Sequence, residues 1–196
     1  MTAALIYIHG FISSPQSHKA QQLARYVAEH HPDISYFVPS LANTPGEAAQ
    51  QLDELVQHCL QHHAGSVGLI GSSLGGFLAT VLAERYSLPA VLINPAVEPH
   101  NFAGHFLGAH HNPYTGVDFS LNQADIDQLR SMVSAPVKGR YWVLVQEGDE
   151  VLDYRLALEF YKGCDITVET GGDHSFQQFE RHLPAVVDFY AWGSGL

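Results

Sequence analysis

Short, continuously apolar runs alternate along the chain with longer segments whose apolar positions recur every three or four residues. The short runs are rich in β-branched residues and predict buried strands, whereas the periodic segments predict amphipathic helices. Strands that alternate with helices indicate right-handed crossovers, so the pattern predicts a doubly wound α/β fold with a mostly parallel sheet of about six strands and helices on both faces. The predicted strands cover residues 4–9, 34–39, 66–71, 90–94, 141–146 and 165–170.

Two segments carry signals for the start of a helix. Ser14 followed by Pro15 predicts a capping residue and the first position of a helix that extends to residue 31. The run 44–47, Thr-Pro-Gly-Glu, has the form of a capping box and predicts a helix to about residue 63. Further helices are predicted from about residue 76 to 86, over 154–161, and over a last segment that is interrupted near Pro184 and ends at Trp192.

Residues 98–135 interrupt the alternation of strands and helices. This segment contains scattered aromatic residues and paired histidines, and it stands between two predicted strands where a single helix would suffice. Long insertions in such sheets often lie over a binding site. We interpret 98–135 as a small cap or lid inserted into one domain, 1–196; a solvated elaboration without a role in binding is the alternative.

Composition and charge narrow the classes of function. Twenty acidic against nine basic residues in 196 give a formal net charge of −11, which disfavours nucleic acids and anionic membranes as partners. Two cysteines without C-x-x-C spacing argue against a disulfide scaffold or a redox site. The N-terminal residues lack a signal-peptide pattern, and no apolar run approaches the ~20 residues of a membrane span. We therefore expect a cytoplasmic protein that acts on small molecules.

The strongest chemical signal is the run Gly71-Ser-Ser-Leu-Gly75, which matches G-x-S-x-G with Ser73 at its centre. A predicted strand leads into the run and a predicted helix follows it. In that context the serine occupies a sharp strand-to-helix turn, and small residues two positions away on either side prevent a collision. The sequence thus predicts that Ser73 is a nucleophile; a Gly-Ser turn that merely packs tightly is the alternative.

A second signal, His9-Gly10-Phe11, follows the first predicted strand. Adjacent parallel strands end at the same edge of a sheet, so we expect this turn to lie beside Ser73. Acyl transfer needs two N–H donors directed at the oxyanion, and we predict that the backbone N–H groups of Leu74 and Phe11 supply them. His9 itself is expected to be structural or to line the pocket.

The base and the acid are predicted from chain order. In this type of site the order is serine, acid, histidine, and His174 lies in a glycine-rich loop after the last predicted strand. Asp149, just beyond the fifth strand, is the predicted acid. Other acids near the expected site remain open as competitors: Glu98, Glu147, Glu150, Asp153 and Asp173. Paired histidines such as His110-His111 lack metal-ligand spacing, so no metal is expected.

Five motifs together resemble a known family. They are His9-Gly-Phe11, Gly71-Ser-Ser-Leu-Gly-Gly76, Ile93-Asn-Pro-Ala96, Gly148-Asp-Glu-Val151 and Gly172-Asp-His-Ser-Phe176. In this combination, and over nearly its whole length, the chain resembles the small bacterial YqiA-like esterases, a branch of the α/β-hydrolase superfamily. The resemblance implies an α/β-hydrolase fold and a cytoplasmic carboxylesterase without a cofactor. It also implies acyl esters as substrates, with thioesters left open, and Ser73, Asp149 and His174 as the catalytic triad.

The aromatic residues of 98–135 indicate where an acyl group would bind. Phe102, Phe106 and Tyr114 are predicted to line an apolar pocket, although such residues can also serve only to anchor a cap to the core. A chain of this size favours short to medium acyl groups. Two rival functions stay open: a serine peptidase or amidase with the same triad, and a binding module that has kept the fold without turnover. The sequence does not indicate an oligomeric state.

Overall fold

The computed structural model describes residues 3–63, 66–132 and 137–190. Within these residues there are eight strands: β1 (Ala3–Ile8), β2 (Ile34–Phe37), β3 (Val67–Ser72), β4 (Ala90–Ile93), β5 (Gly108–Asn112), β6 (Val117–Leu121), β7 (Tyr141–Gln146) and β8 (Asp165–Glu169). Six of them form one parallel sheet in the order β2-β1-β3-β4-β7-β8, and β5 and β6 form a separate antiparallel hairpin. The predicted parallel sheet of six strands is confirmed.

Helices cover both faces of this sheet. They are α1 (His18–His30), α2 (Pro45–His62), α3 (Leu74–Tyr86), α4 (Gln123–Met132), α5 (Tyr154–Phe160) and α6 (Leu183–Phe189). Along β1, Ala4, Ile6 and Ile8 face one core with α2 and α3, whereas Leu5 and Tyr7 face a second core with α1 and α6. Because both faces of the strand are buried, its sequence is a continuous apolar run rather than an alternating one.

The predicted strand limits agree with the observed ones to within two residues, but the start of α1 was predicted wrongly. The helix begins at His18 and not at Pro15. Ser14 forms a turn before it, because its Oγ accepts the N–H of Gln16 and its carbonyl oxygen accepts the N–H of Ser17. The predicted start of α2 at Pro45 is confirmed.

The segment between β4 and β7 is more structured than its sequence indicates. It contains 3₁₀ turns at Pro99–Asn101 and Ala103–Phe106, then the β5–β6 hairpin, then α4. Ile126 and Leu129 of α4 are buried in the same core as α2 and α3. Residue 135, where the predicted cap ends, and Trp192, where the last helix was predicted to end, lie outside the described residues.

Candidate active site

Ser73 occupies the turn between β3 and α3, directly before the first residue of the helix. Its φ of 57° and ψ of −125° lie in a region of backbone conformation that residues other than glycine rarely adopt. Two positions later the chain has no room for a side chain, because a Cβ on Gly75 would collide with the carbonyl oxygens of Ile8 and His9 at the end of β1. The turn is therefore packed against β1, with the serine raised at the carboxyl edge of the sheet.

Ser73, His174 and Asp149 form one chain of hydrogen bonds. The Oγ of Ser73 lies 3.0 Å from Nε2 of His174. The Nδ1 of His174 lies 3.0 and 2.9 Å from the two carboxylate oxygens of Asp149. The side chain of Asp149 is 2% exposed and that of His174 is 24% exposed. A buried carboxylate therefore orients an imidazole whose other nitrogen faces the serine and the solvent.

Asp149 is held in this position by its own backbone surroundings. Its Oδ1 accepts the N–H groups of Val151 and Leu152 at 2.9 and 2.8 Å. These bonds satisfy the lone pairs that the imidazole does not use, as a buried carboxylate requires. The side chain therefore has little freedom to turn away from His174.

The other acids that the sequence left open make different contacts. Asp153 caps α5 and pairs with Arg155, while Asp173 accepts hydrogen bonds from Ser175 and Gln177. Glu98 accepts a hydrogen bond from Asn101, and Glu147 accepts one from Tyr154.

Glu150 contacts the loop that carries His174, because its carboxylate accepts the backbone N–H of His174 at 3.0 Å. Within the described chain only Asp149 contacts the imidazole of His174 with a carboxylate.

Two buried amide side chains hold the loop that carries His174. Asn94, directly after β4, donates from Nδ2 to the carbonyl oxygens of Asp173 and His174 at 3.0 and 3.3 Å. Gln146, the last residue of β7, accepts the N–H groups of Asp173 and Gln177 at 3.2 and 2.9 Å. Neither residue was predicted from the sequence. Their signal is a polar residue at the end of an otherwise apolar strand, at the edge where the site lies.

The loop after β1 supplies backbone groups beside Ser73. A Cβ on Gly10 would lie 3.2 Å from the Cβ of Ser73, so the two backbones approach closely. Among the described residues, no acceptor takes the N–H groups of Phe11 or Leu74. Both groups were predicted from the sequence as oxyanion donors, and both are free to bind a ligand.

His9 ties this loop to the loop after β2. It is buried, and burial lowers its pKa although the backbone hydrogen bond to Gly10 opposes that effect. The ring is therefore neutral near pH 7: Nδ1 donates to the carbonyl oxygen of Gly10 at 2.9 Å, and Nε2 accepts the N–H of Leu41 at 3.4 Å. His9 also lines a small cavity behind Phe11, which agrees with a structural role.

An apolar cleft of about 600 Å³, including its open mouth, begins at Ser73. Phe102 and Phe106 line it, as predicted, together with Ile126 and Leu129 of α4. Tyr114 does not. Its side chain is 60% exposed, and it lines a different surface cleft together with Lys19 and Ser175. The reason is that Tyr114 stands at the tip of the hairpin, which the sequence did not predict.

The hairpin packs its aromatic residues on the loop after β1. The ring of Phe11 makes edge contacts with Phe106, His110 and Phe119, at centroid distances of 5.6, 5.7 and 6.0 Å. His110 also stacks on Phe119 at 5.3 Å. The segment between β4 and β7 therefore contacts Phe11, which directly follows the Gly10 that approaches Ser73.

Two kinds of feature are not found in the part of the chain that the structure describes. No helix there is long and apolar enough to cross a membrane. No three His, Cys, Asp or Glu side chains there come together as ligands for a metal ion. Of the paired histidines, His110 contacts aromatic rings and His111 pairs with Asp118 at 2.7 Å.

Sequence comparison associates the chain with one family. The model of the family described as "Uncharacterised protein family (UPF0227)" matches residues 4–191. A UPF0227 protein of Shewanella oneidensis is 24% identical over 188 residues, which cover 94% of this chain and 98% of the relative. A UPF0227 protein of Shewanella loihica is 25% identical over 191 residues, with 94% and 97% covered.

Solved structures share the fold at low sequence identity. Est1E from Butyrivibrio proteoclasticus has a TM-score of 0.75 and 13% identity, covering 97% of this chain and 87% of its own. The mouse alpha/beta hydrolase domain-containing protein 10 has a TM-score of 0.76 and 17% identity, with 97% and 90% covered. An esterase domain from a Rhodothermus marinus protein has a TM-score of 0.67 and 14% identity, with 97% and 85% covered. The chain has the α/β-hydrolase fold that the resemblance implied.

Proposed function

The chain belongs to the uncharacterised protein family UPF0227, and we propose that it is a serine esterase that hydrolyses short to medium acyl esters, thioesters included, through an acyl-enzyme. One observation carries the proposal. A serine on a strained strand-to-helix turn lies 3.0 Å from the Nε2 of His174, whose Nδ1 is bonded to the buried carboxylate of Asp149. Nucleophile, base and orienting acid in that geometry are the requirements for nucleophilic acyl transfer.

The reaction begins with attack of the Ser73 oxygen on the ester carbonyl carbon while His174 accepts the hydroxyl proton at Nε2. Asp149 fixes the tautomer of the imidazole and stabilises its protonated form. The tetrahedral intermediate collapses as His174 returns the proton to the leaving oxygen or sulfur. A water molecule, activated by the same imidazole, then attacks the acyl-enzyme and releases the carboxylic acid.

The backbone N–H groups of Phe11 and Leu74 bind the oxyanion in this proposal. Leu74 directly follows Ser73, Phe11 directly follows Gly10, whose backbone approaches Ser73 closely, and neither N–H has a protein acceptor among the described residues. Donors of this kind each contribute about 10²–10³ in rate, because they face the charge that develops in the transition state. The N-terminus of α3 adds a favourable field at the same place.

The apolar cleft is the proposed acyl site, with Phe102 and Phe106 in its wall. Its volume lies within the ~300–1,000 Å³ range of small-molecule pockets. The proposed substrate is a small molecule; nucleic acids and membranes are not proposed as partners, because the net charge of −11 repels phosphates.

The test combines labelling with kinetics. A fluorophosphonate reacts only with an activated serine, so we expect the wild-type protein and the exposed control Ser131→Ala to be labelled, and Ser73→Ala not to be. With p-nitrophenyl acetate and butyrate, Ser73→Ala is expected to lose several orders of magnitude in kcat. A Ser73→Ala variant that retains near-normal turnover contradicts the proposal. A wild-type protein that is not labelled points to the binding module, and faster cleavage of matched p-nitroanilides than of esters points to the amidase.

A further inference from the structure

The wall of the acyl cleft contains one charged residue. Of the described residues that line the cleft, only Ser73 and Asp125 have polar side chains, and the others are apolar. Asp125 is 7% exposed, and it belongs to the first turn of α4. A carboxylate in an otherwise apolar wall is costly unless it is paired or hydrogen-bonded.

One of the two oxygens of the Asp125 carboxylate caps α4. The Oδ2 of Asp125 accepts the backbone N–H of Asn122 at 2.8 Å, while Oδ1 of Asn122 accepts the N–H of Ala124 at 2.8 Å. The Oδ1 of Asp125 receives no hydrogen bond from any residue in the described ranges. No described Lys, Arg or His forms an ion pair with Asp125 either.

Capping alone does not require a carboxylate at this position. A neutral amide side chain can accept the same N–H without placing a negative charge in the cleft, as glutamine does at the third position of a capping box. Solvent reaches the Oδ1 of Asp125, since this atom does not belong to the fully buried side-chain atoms without a partner. A donor that enters with the substrate can replace water there and bind the charge.

We propose that Asp125 selects acyl groups that carry a hydrogen-bond donor, an ammonium or a hydroxyl, at a distance from the scissile carbonyl. The proposal rests on the esterase function proposed above and narrows its substrate class. The apolar wall contacts the methylene chain, and Asp125 receives the donor at the far end. A plain alkyl chain of the same length leaves the Oδ1 of Asp125 dehydrated and without a donor, so it binds less well.

The experiment compares matched p-nitrophenyl esters of three series: alkanoyl, ω-hydroxyalkanoyl and ω-aminoalkanoyl, each with three to eight carbons. For the wild-type protein we expect kcat/KM of the best donor-bearing ester to exceed that of its alkyl match by about 10–100-fold. A preference for the ammonium series over the hydroxyl series would identify the donor as cationic, and the reverse would identify it as neutral.

Two variants locate the effect. Asp125→Asn can still accept the N–H of Asn122, and we expect its ratio of ammonium to alkyl kcat/KM to fall to about one. Asp127→Asn removes an exposed charge from the same helix, where Asp127 contacts Arg130 and Gln123, and should retain the wild-type ratio. Because the wild-type comparison needs no variant, it stands even if Asp125→Asn folds poorly.

The outcomes separate this inference from the esterase proposal. If no chain length shows a preference for a donor, or if the preference survives in Asp125→Asn, the role of Asp125 is overturned while acetate hydrolysis by the wild-type protein still supports an esterase. If the wild-type protein hydrolyses no ester, the esterase proposal fails and the inference fails with it.

Discussion

Asn94 and Gln146 end two neighbouring buried strands, and the Oδ1 of Asn94 accepts the backbone N–H of Gln146 at 3.0 Å. Each of the two side chains also bonds to the loop that carries His174. The two amides therefore connect the carboxyl edge of β4 and β7 to the imidazole, and both are only 2% exposed. The loop that carries the imidazole is thus held by residues that do not line the apolar cleft.

Asn94→Asp should lower kcat by about 10–100-fold and leave KM nearly unchanged. The variant keeps the oxygen that accepts the N–H of Gln146. It replaces the amide nitrogen, which donates to the carbonyl oxygens of Asp173 and His174, by a second oxygen, so the loop loses these two hydrogen bonds. Steady-state kinetics and the rate of fluorophosphonate labelling check this. Asn101→Ala, on an exposed turn, is the control. Unaltered labelling by a folded Asn94→Asp protein would show that the amide is not needed to position His174.

Asp149→Asn should reduce kcat by about 10³–10⁴-fold without unfolding the protein. The amide can still accept the N–H groups of Val151 and Leu152, but it no longer stabilises the protonated imidazole and favours the wrong tautomer. Glu147→Gln should keep wild-type kinetics, since within the described ranges the carboxylate of Glu147 bonds only to Tyr154. Equal losses in the two variants would mean that the acid has been misassigned.

Gly75→Ala should destabilise the fold by about 2–4 kcal/mol, although alanine is the better helix former by about 1 kcal/mol. The reason is the collision of the added Cβ with carbonyl oxygens of β1. Gly104→Ala is a matched control, since a Cβ added there would have no neighbour within 4 Å, and its free energy of unfolding should change little. Urea unfolding of both variants is the measurement, and a Gly75→Ala protein as stable as wild type would refute the close approach.

Ser73→Gly should stabilise the protein by about 0.5–2 kcal/mol while it removes esterase activity. A positive φ of 57° is strained for serine and relaxed for glycine, although glycine adds entropy to the unfolded chain. Ser87→Gly relieves a similar φ of 54° at the exposed end of α3 and should stabilise without loss of activity. Thermal unfolding of the two variants tests this; a lower midpoint for Ser73→Gly would argue against strain at the turn.

Glu84→Gln should cost about 1–2 kcal/mol at pH 7 and less near pH 3. Burial opposes the charged form of Glu84, but hydrogen bonds from the Tyr141 hydroxyl and from the N–H groups of Gly139 and Lys138 outweigh it, so its pKa lies below the ordinary 4.5. A folded-state pKa below the unfolded value gives stability that is present above pH 4.5 and is lost as pH falls through the folded value.

The measurement is urea unfolding of Glu84→Gln and wild type at both pH values. Glu54→Gln, an exposed position on α2, should differ from wild type by less than about 0.5 kcal/mol at either pH. A deficit for Glu84→Gln that persists undiminished at pH 3 would show that the contacts do not depend on the charge.

Local signals were sufficient to predict the sheet and the turn at Ser73. The strands are buried on both faces, so their runs are continuously apolar, and the G-x-S-x-G run is itself a local signal. A Cβ on Gly71 would collide with Gly75 inside the turn, although the collision at Gly75 is with the end of β1. The order of the chain then indicates which loops meet at the carboxyl edge. The fold brings Ser73, Asp149 and His174 together at that edge, and their catalytic roles remain the proposal to be tested.

Contacts between distant segments were not predictable in the same way. Asn94 and Gln146 are 52 positions apart, and nothing in either neighbourhood indicates the other. The hairpin is short and largely exposed, so it lacks the apolar pattern of a buried strand. Because the hairpin was not predicted, the exposed position of Tyr114 at its tip was not predicted either. The start of α1 was misjudged because a Ser-Pro pair also suits a turn.

The packing of Phe11 against the hairpin couples two tasks that protein engineers would wish to alter separately. In the proposed mechanism, the same residue contributes an N–H to the oxyanion and a ring to the aromatic contacts with Phe106, His110 and Phe119. Grafting a relative's hairpin to exchange acyl preference would therefore also shift the oxyanion donor. Chimeras of this kind should trade selectivity against turnover unless the residues that surround Phe11 are transplanted as one unit.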